Sequence, residues 1–283
     1  MNYILLSISM LSVVLQNGLF NTVSKNKLKN KFDTFRYNSW LYLICFVLFA
    51  LLSLGSKFSL FSVLLGLIFG IITMLSNFCK ITALGKGPMH ITILVTTSSM
   101  IIPAMSGAIM FGERFSIGKA LAILLLIFFI YISLKKDKDA EFNRQWIIYC
   151  VLAFVFQGII GIIQKIHQSS SHKNELMIFL AVAFLFSCIF SGVISKGGKS
   201  EFKFSKTEYT FAVICGVCTF LMNYINLKLS GLIPSQIFFP LVNGGAIILT
   251  SIVSVVIFKE KMNKQQLIGL IGGLVSLILI CLL

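Results

Sequence analysis

The chain has 283 residues, 57% of them hydrophobic and 12% charged, with 27 Phe. Soluble domains run near a quarter charged and disordered chains are poor in aromatics, so both classes are excluded and a polytopic membrane protein remains. The 24 Lys+Arg against 9 Asp+Glu give a net charge of +15; these bases sit in short loops between apolar runs, a topology signal rather than a nucleic-acid surface.

A bilayer-spanning helix takes about 20 mainly apolar residues. Ten stretches qualify, at 3–24, 37–54, 60–83, 88–111, 116–134, 146–166, 176–195, 208–229, 234–258 and 265–283. The first has no basic n-region or small-x-small cleavage site and carries Gln16-Asn17-Gly18 mid-stretch, so it reads as a retained helix. Trp40 and Trp146 fall at the starts of the second and sixth, where an indole suits the headgroup boundary. Gly66-x-x-x-Gly70 in the third and Gly269-x-x-x-Gly273 in the tenth predict close helix packing. The fourth and ninth hold all four prolines: Pro88 and Pro234 at their starts, Pro103 and Pro240 inside. An interior proline frees carbonyls and kinks its helix, making Pro103 and Pro240 candidate gating points.

Between the fifth and sixth stretches lies Lys135-Lys136-Asp137-Lys138-Asp139, which divides the chain into 1–140 and 141–283. The halves repeat. Gly70, Asn77 and Pro88 are matched 146 positions later by Gly216, Asn223 and Pro234. Phe111-Gly112-Glu113-Arg114 answers Phe258-Lys259-Glu260-Lys261 at 147, and Gly18 and Lys25 answer Gly158 and Lys165 at 140. Five helices is an odd number, so the second copy must enter the membrane from the opposite side. Such inverted repeats build secondary carriers that bind cargo near the midplane. Loops 1–2, 3–4, 5–6, 7–8 and 9–10 hold 18 of the 24 bases, which predicts a cytoplasmic location for them and both termini outside.

Ten helices in two five-helix repeats, with an acidic-basic pair after the fourth and ninth, resemble the drug/metabolite transporter superfamily, and its EamA-type branch in particular. The resemblance rests on Ala83-Leu84-Gly85-Lys86-Gly87-Pro88, on Phe111-Gly112-Glu113-Arg114-Phe115-Ser116 with Gly118, and on Phe258-Lys259-Glu260-Lys261-Met262-Asn263 with Gln266 and Gly269. It covers essentially the whole chain. It implies a central cavity lined by helices 1, 3, 4, 6, 8 and 9, with helices 5 and 10 outside holding the bundle together. Two departures stand out: the first helix lacks the tryptophan common in EamA-type proteins and the membrane carboxylate of the small four-helix exporters. Short architectural motifs identify a fold better than a cargo.

Polar groups inside a membrane are costly and face a cavity or a partner helix. The candidate substrate-binding set is Gln16, Asn17 and Asn21 on the first helix, Asn77 on the third, Thr96 on the fourth, Gln157 and Gln164 on the sixth, Asn223, Tyr224 and Asn226 on the eighth, and Gln236 and Asn243 on the ninth. Amides both donate and accept, which suits a neutral, zwitterionic or hydroxylated cargo; the competing reading of each is interhelical hydrogen bonding. All nine acids lie outside the hydrophobic centres, and Glu113 and Glu260 read as loop anchors or gate-side ion-pair partners. Lys25, Lys80, Lys165 and Lys228 near helix ends read as snorkelling bases, the alternative being attraction of an anionic cargo.

Seven cysteines, an odd number in apolar runs, imply no disulfide framework, and Cys215-x-x-Cys218 reads as helix packing. His90, His167 and His172 show no ligand spacing and there is no phosphate loop, so no cofactor, metal or catalytic residue is expected. The expected protein is an all-α, ten-helix, multi-pass transporter of the cell membrane. It would move a small polar or amphipathic metabolite, amino-acid-like or drug-like, by alternating access, as an exporter. The alternative is an importer of a quaternary-ammonium nutrient with an aromatic cage from Phe20, Tyr224, Phe238 and Phe239; a membrane-embedded enzyme is the remote alternative. The expected partners are a small-molecule substrate and the bilayer, with the coupling ion left open, no nucleic acid, and a monomer or homodimer.

Overall fold

The structure is a computed structural model that describes residues 2–112, 116–134, 144–198, 204–233 and 235–283. Its ten helices are α1 (Asn2–Asn26), α2 (Lys31–Leu52), α3 (Leu60–Lys86), α4 in two segments (Met89–Thr97 and Ile101–Phe111), α5 (Ile117–Leu134), α6 (Arg144–Ser169), α7 (Leu176–Lys196), α8 (Lys206–Ser230), α9 (Ser235–Val256) and α10 (Lys264–Leu282). Seven spans are long and apolar enough to cross a membrane, and shorter apolar helices run over Ile117–Ile132, Val242–Val256 and Lys264–Ile280. The chain is an all-helical, multi-pass membrane protein.

Helix starts follow local capping. The α2 helix begins at Lys31, six residues before the start at 37 that hydropathy predicts, because Asn30 and Asp33 form a capping box that satisfies the first turn's N–H groups. Ser205 with Glu208 does the same for α8, and Asn263 with Gln266 for α10. At the far end of α4, Gly112 sits at φ +65° and ψ +19°, a left-handed C-terminal stop that glycine adopts without the penalty a Cβ would bring.

The outer faces are apolar. Ile117, Leu121 and Phe128 on α5, Val193 on α7 and Ile278 on α10 are all exposed, while buried polar residues occupy the middle of the bundle. With lipid outside, apolar side chains gain little from leaving their surroundings, so helices associate through close packing and interhelical hydrogen bonds. The α3–α7 contact shows the device. A Cβ built on Gly70 would collide with the Ala183 carbonyl oxygen, and one on Gly66 would stand 2.8 Å from that of Phe179. Ser187 Oγ donates across the same contact to the Gly70 carbonyl at 2.8 Å. Aromatic pairs fill the rest of this layer, with Phe49 stacked on Phe184 at 5.6 Å and Phe69 edge-on to Phe179 at 5.2 Å. In α10 the tight approach is at Gly272, which faces the Phe129 ring of α5.

Polar contacts between loops pair the helix ends. Lys27 of loop 1–2 meets Glu208 at the start of α8 at 3.1 Å, and Lys25 meets Glu260 of loop 9–10 at 2.9 Å. At the other end, Ser59 of loop 2–3 donates through its N–H and Oγ to Glu175 of loop 6–7, at 2.9 and 2.6 Å. Odd-numbered loops thus gather at one end of the bundle and even-numbered loops at the other.

Candidate functional site

Three helices carry residues at i, i+4, i+7 spacing, all polar except one glycine, which places them on one face. They are Thr73, Asn77 and Lys80 on α3, Gln157, Gly161 and Gln164 on α6, and Thr219, Asn223 and Asn226 on α8. All nine line one cavity of about 90 Å³, completed by Gln16 of α1, Asn243 of α9, and Ser99, Met100 and Pro103 of α4. The walls come from helices 1, 3, 4, 6, 8 and 9.

The break in α4 belongs to this wall. Its two segments are joined by a 3₁₀ turn over Ser98–Met100, three residues before Pro103. Proline has no N–H to offer the carbonyl of Ser99, four residues back, and its ring crowds that carbonyl. Irregular backbone is tolerated at membrane depth where it lines a polar cavity. By contrast α9 runs as one unbroken helix through residue 240. The side chains of Pro240 and Gln236 lie outside the described residues, as does Glu113.

The cavity amides fall into two groups. Several are committed to protein partners: Gln16 Nε2 donates to Thr219 Oγ1, Asn77 Nδ2 to the Tyr42 hydroxyl at 3.0 Å, and Asn223 Nδ2 to the Thr219 carbonyl at 2.9 Å. Asn226 Oδ1 accepts from Ser9 Oγ at 2.7 Å. Gln157, Gln164 and Asn243 make no hydrogen bond or ion pair to any described residue, so their amides are available to whatever occupies the cavity.

Four further candidates are placed away from this lining. Asn17 is fully buried and donates to Thr250 of α9 at 3.4 Å. Asn21 is buried with neither amide atom partnered, and Thr96 bonds the Thr92 carbonyl of its own helix at 2.8 Å. Tyr224 stacks on Phe220, with Lys228 Nζ 5.8 Å from its ring centroid. Among the described residues no aromatic side chain lines the cavity: Phe20 packs edge-on to Tyr37 and Phe238 belongs to a separate apolar cluster, while the Phe239 side chain lies outside the described residues. Cys215 accepts from the Tyr37 hydroxyl at 3.5 Å within the packed core.

Two residues read as interfacial are buried. Trp146, in the first turn of α6, is 1% exposed. Its Nε1 donates to Thr92 Oγ1 at 2.9 Å, and its ring fills the space that a side chain at Gly87 would take. Lys80 is 5% exposed and does not snorkel; it reaches inward to the cavity from about 9 Å short of the end of α3. Thr73 and Thr219 join the lining at helical spacing from Asn77 and Asn223, a signal present in the sequence beside the amides.

At the odd-loop end, Glu260 ties three helices together. It accepts from Lys25 Nζ at 2.9 Å, from the Met89 N–H at 2.9 Å and the His90 N–H at 3.4 Å, and from Ser254 Oγ at 2.6 Å; His90 Nδ1 lies 3.0 Å away. Lys259, at φ +52°, turns the chain so that Glu260 points back at the N-terminus of α4. A carboxylate suits that site, since the first-turn N–H groups have no intrahelical partner and the helix dipole is positive there. Burial alone would raise the Glu260 carboxyl, but the hydrogen bonds from His90, Met89, Ser254 and Lys25 outweigh it and hold the group well below the usual carboxylate range.

Residues 144–282 match the model of a family described as the EamA-like transporter family. A solved protein crystal structure is similar over 98% of this chain and 96% of its own, with a TM-score of 0.70 at 14% identity. At that identity the likeness concerns the fold. No curated protein matches the chain.

Proposed function

We infer that this chain, whose residues 144–282 match the EamA-like transporter family, is a secondary transporter that moves a small polar or amphipathic metabolite, amino-acid-like or drug-like, across the cell membrane. It works as an exporter by alternating access between two inverted five-helix repeats, 1–140 and 141–283. The odd-numbered loops lie in the cytoplasm, as their share of the bases requires.

One observation carries this reading: polar side chains from six helices converge on a single cavity, and three of its amides have no partner among the described residues. Gln157 and Asn243 are half-buried and Gln164 is buried, all three lining the cavity, so a cargo with donors and acceptors can take the place of water on their amides. The broken α4 wall and the Glu260 cluster supply the moving parts: a helix with interrupted hydrogen bonding beside the cavity, and a tie at one end that can open.

Thermal unfolding of the purified protein against a solute library tests this first. Stabilising solutes then go to flux measurements in liposomes, with and without a pH gradient. Stabilisation followed by flux supports the carrier, and flux indifferent to the gradient makes it a facilitator. Stabilising solutes that never cross would refute transport.

A further inference from the structure

Lys80 is the one base lining the cavity, and no Asp or Glu lines it among the described residues. The ammonium makes no ion pair or hydrogen bond to any described residue. The other bases near helix ends are placed elsewhere. Lys25 is 38% exposed and tied to Glu260, and Lys228 is exposed beside Tyr224.

The fold does not need a charge at this place. Thr73, Asn77 and Lys80 on α3 correspond at 146 residues' distance to Thr219, Asn223 and Asn226 on α8. Two of the three positions are identical in the halves, and the third holds a neutral amide in one and a lysine in the other. A lysine at membrane depth is costly, and more so where it cannot reach the interface. An unmatched base retained at that cost, facing a polar cavity, fits a ligand that brings the missing negative charge.

We propose that Lys80 binds a carboxylate on the cargo, so that the cavity selects zwitterionic or monocarboxylate metabolites. This rests on the transport reading above. One base neutralises one charge; a dianion such as a phosphate monoester would leave a negative charge unmatched inside the membrane. A quaternary ammonium would meet a like charge. The unpartnered amides at Gln157, Gln164 and Asn243 offer carbonyl oxygens to the ammonium or hydroxyl groups of such a cargo and N–H donors to the carboxylate. The space is small, about 90 Å³, which suits the head of a small molecule.

The experiment measures binding to the purified full-length protein by thermal shift and calorimetry. The probes are the proteinogenic L-amino acids and short monocarboxylates, their methyl esters, choline and inorganic phosphate. At least one free acid is expected to bind, its methyl ester at least tenfold more weakly, and choline and phosphate not measurably. Lys80→Gln should weaken the free acid at least tenfold, and Lys80→Arg should restore part of the loss. Lys80→Met, without any ligand, should melt higher than wild type, since it removes an unmatched buried charge; a structural lysine would give the opposite sign.

Wild-type affinity in Lys80→Gln, equal binding of acid and ester, a panel in which no carboxylate binds, or a destabilised Lys80→Met each overturn the proposal. Liposome flux of the bound acid separates the two readings. Lys80-dependent binding without flux sinks the carrier and leaves the site, whereas flux of a cargo in Lys80→Gln at the wild-type rate sinks the site and leaves the carrier.

Discussion

Replacing Glu260 with Gln removes a negative charge from the point where α1, α4 and α9 meet, while keeping the side chain's shape. Four groups donate to the carboxylate and the ring nitrogen of His90 makes a fifth contact. Hydrogen bonds to a charged acceptor contribute about 1.5–3 kcal/mol and neutral ones about 0.5–1.5, so each buried contact weakens by about 1 kcal/mol. Lys25 is 38% exposed, and its share is discounted nearly to zero for solvent screening. The remaining contacts, one of them long at 3.4 Å, put the loss at about 3 kcal/mol, or about a hundredfold in the population with this end tied shut.

Nitroxide labels at Asn26 and Met262, in a background with the native cysteines replaced, report that end by pulsed dipolar spectroscopy. The wild type should show one short distance, and Glu260→Gln should add a second, longer one. Acid should act in the same direction. The carboxyl is depressed below its ordinary value of 4.5, so the tie is fully present above that pH and weakens as pH falls below it toward the lower value in the folded protein. A wild-type distance distribution in Glu260→Gln, with unchanged flux, would refute the assignment of Glu260 as a tie on a moving end.

Gly70→Ala should lower the melting temperature by overpacking α3 against the Ala183 carbonyl, a cost of about 1–3 kcal/mol, whereas Gly192→Ala, with open space around it, should leave it unchanged; thermal unfolding of both variants decides. Pro103→Ala and Pro240→Ala should reduce transport more than expression, as judged by flux per membrane-inserted molecule, and unaltered flux would count against a gating role for either. Gln164→Leu should abolish cargo-induced stabilisation while shifting the ligand-free melting temperature by no more than about 2 °C, since its amide holds no group among the described residues; an unshifted ligand response would remove Gln164 from the site. Trp146→Phe should cost about 1 kcal/mol through the lost hydrogen bond to Thr92, read as a lower melting temperature.

Much of the protein was legible in the sequence because membranes impose local rules. Every backbone group in hydrocarbon must be bonded within its own segment, so each long apolar run had to be a helix. The amides at Asn77, Gln157, Gln164 and Asn223 announced themselves by their cost at membrane depth. Faces are also local: the i, i+4, i+7 spacing that groups Thr73, Asn77 and Lys80 needs no structure to be seen.

Which faces meet is not local, and only the tertiary structure decided it. Without a hydrophobic force between helices, partners are chosen by fit, as where Gly66 and Gly70 admit the α7 backbone. That choice turned Lys80 inward to the cavity, buried Trp146 against Gly87, and separated Asn17 and Asn21 from the amides that line the cavity. It also set Glu260 on the N-terminus of α4, about 170 residues earlier in the chain, where unpaired N–H groups awaited an acceptor. Composition and periodicity specify what each helix presents; the packing of ten helices settles which of those groups share a space.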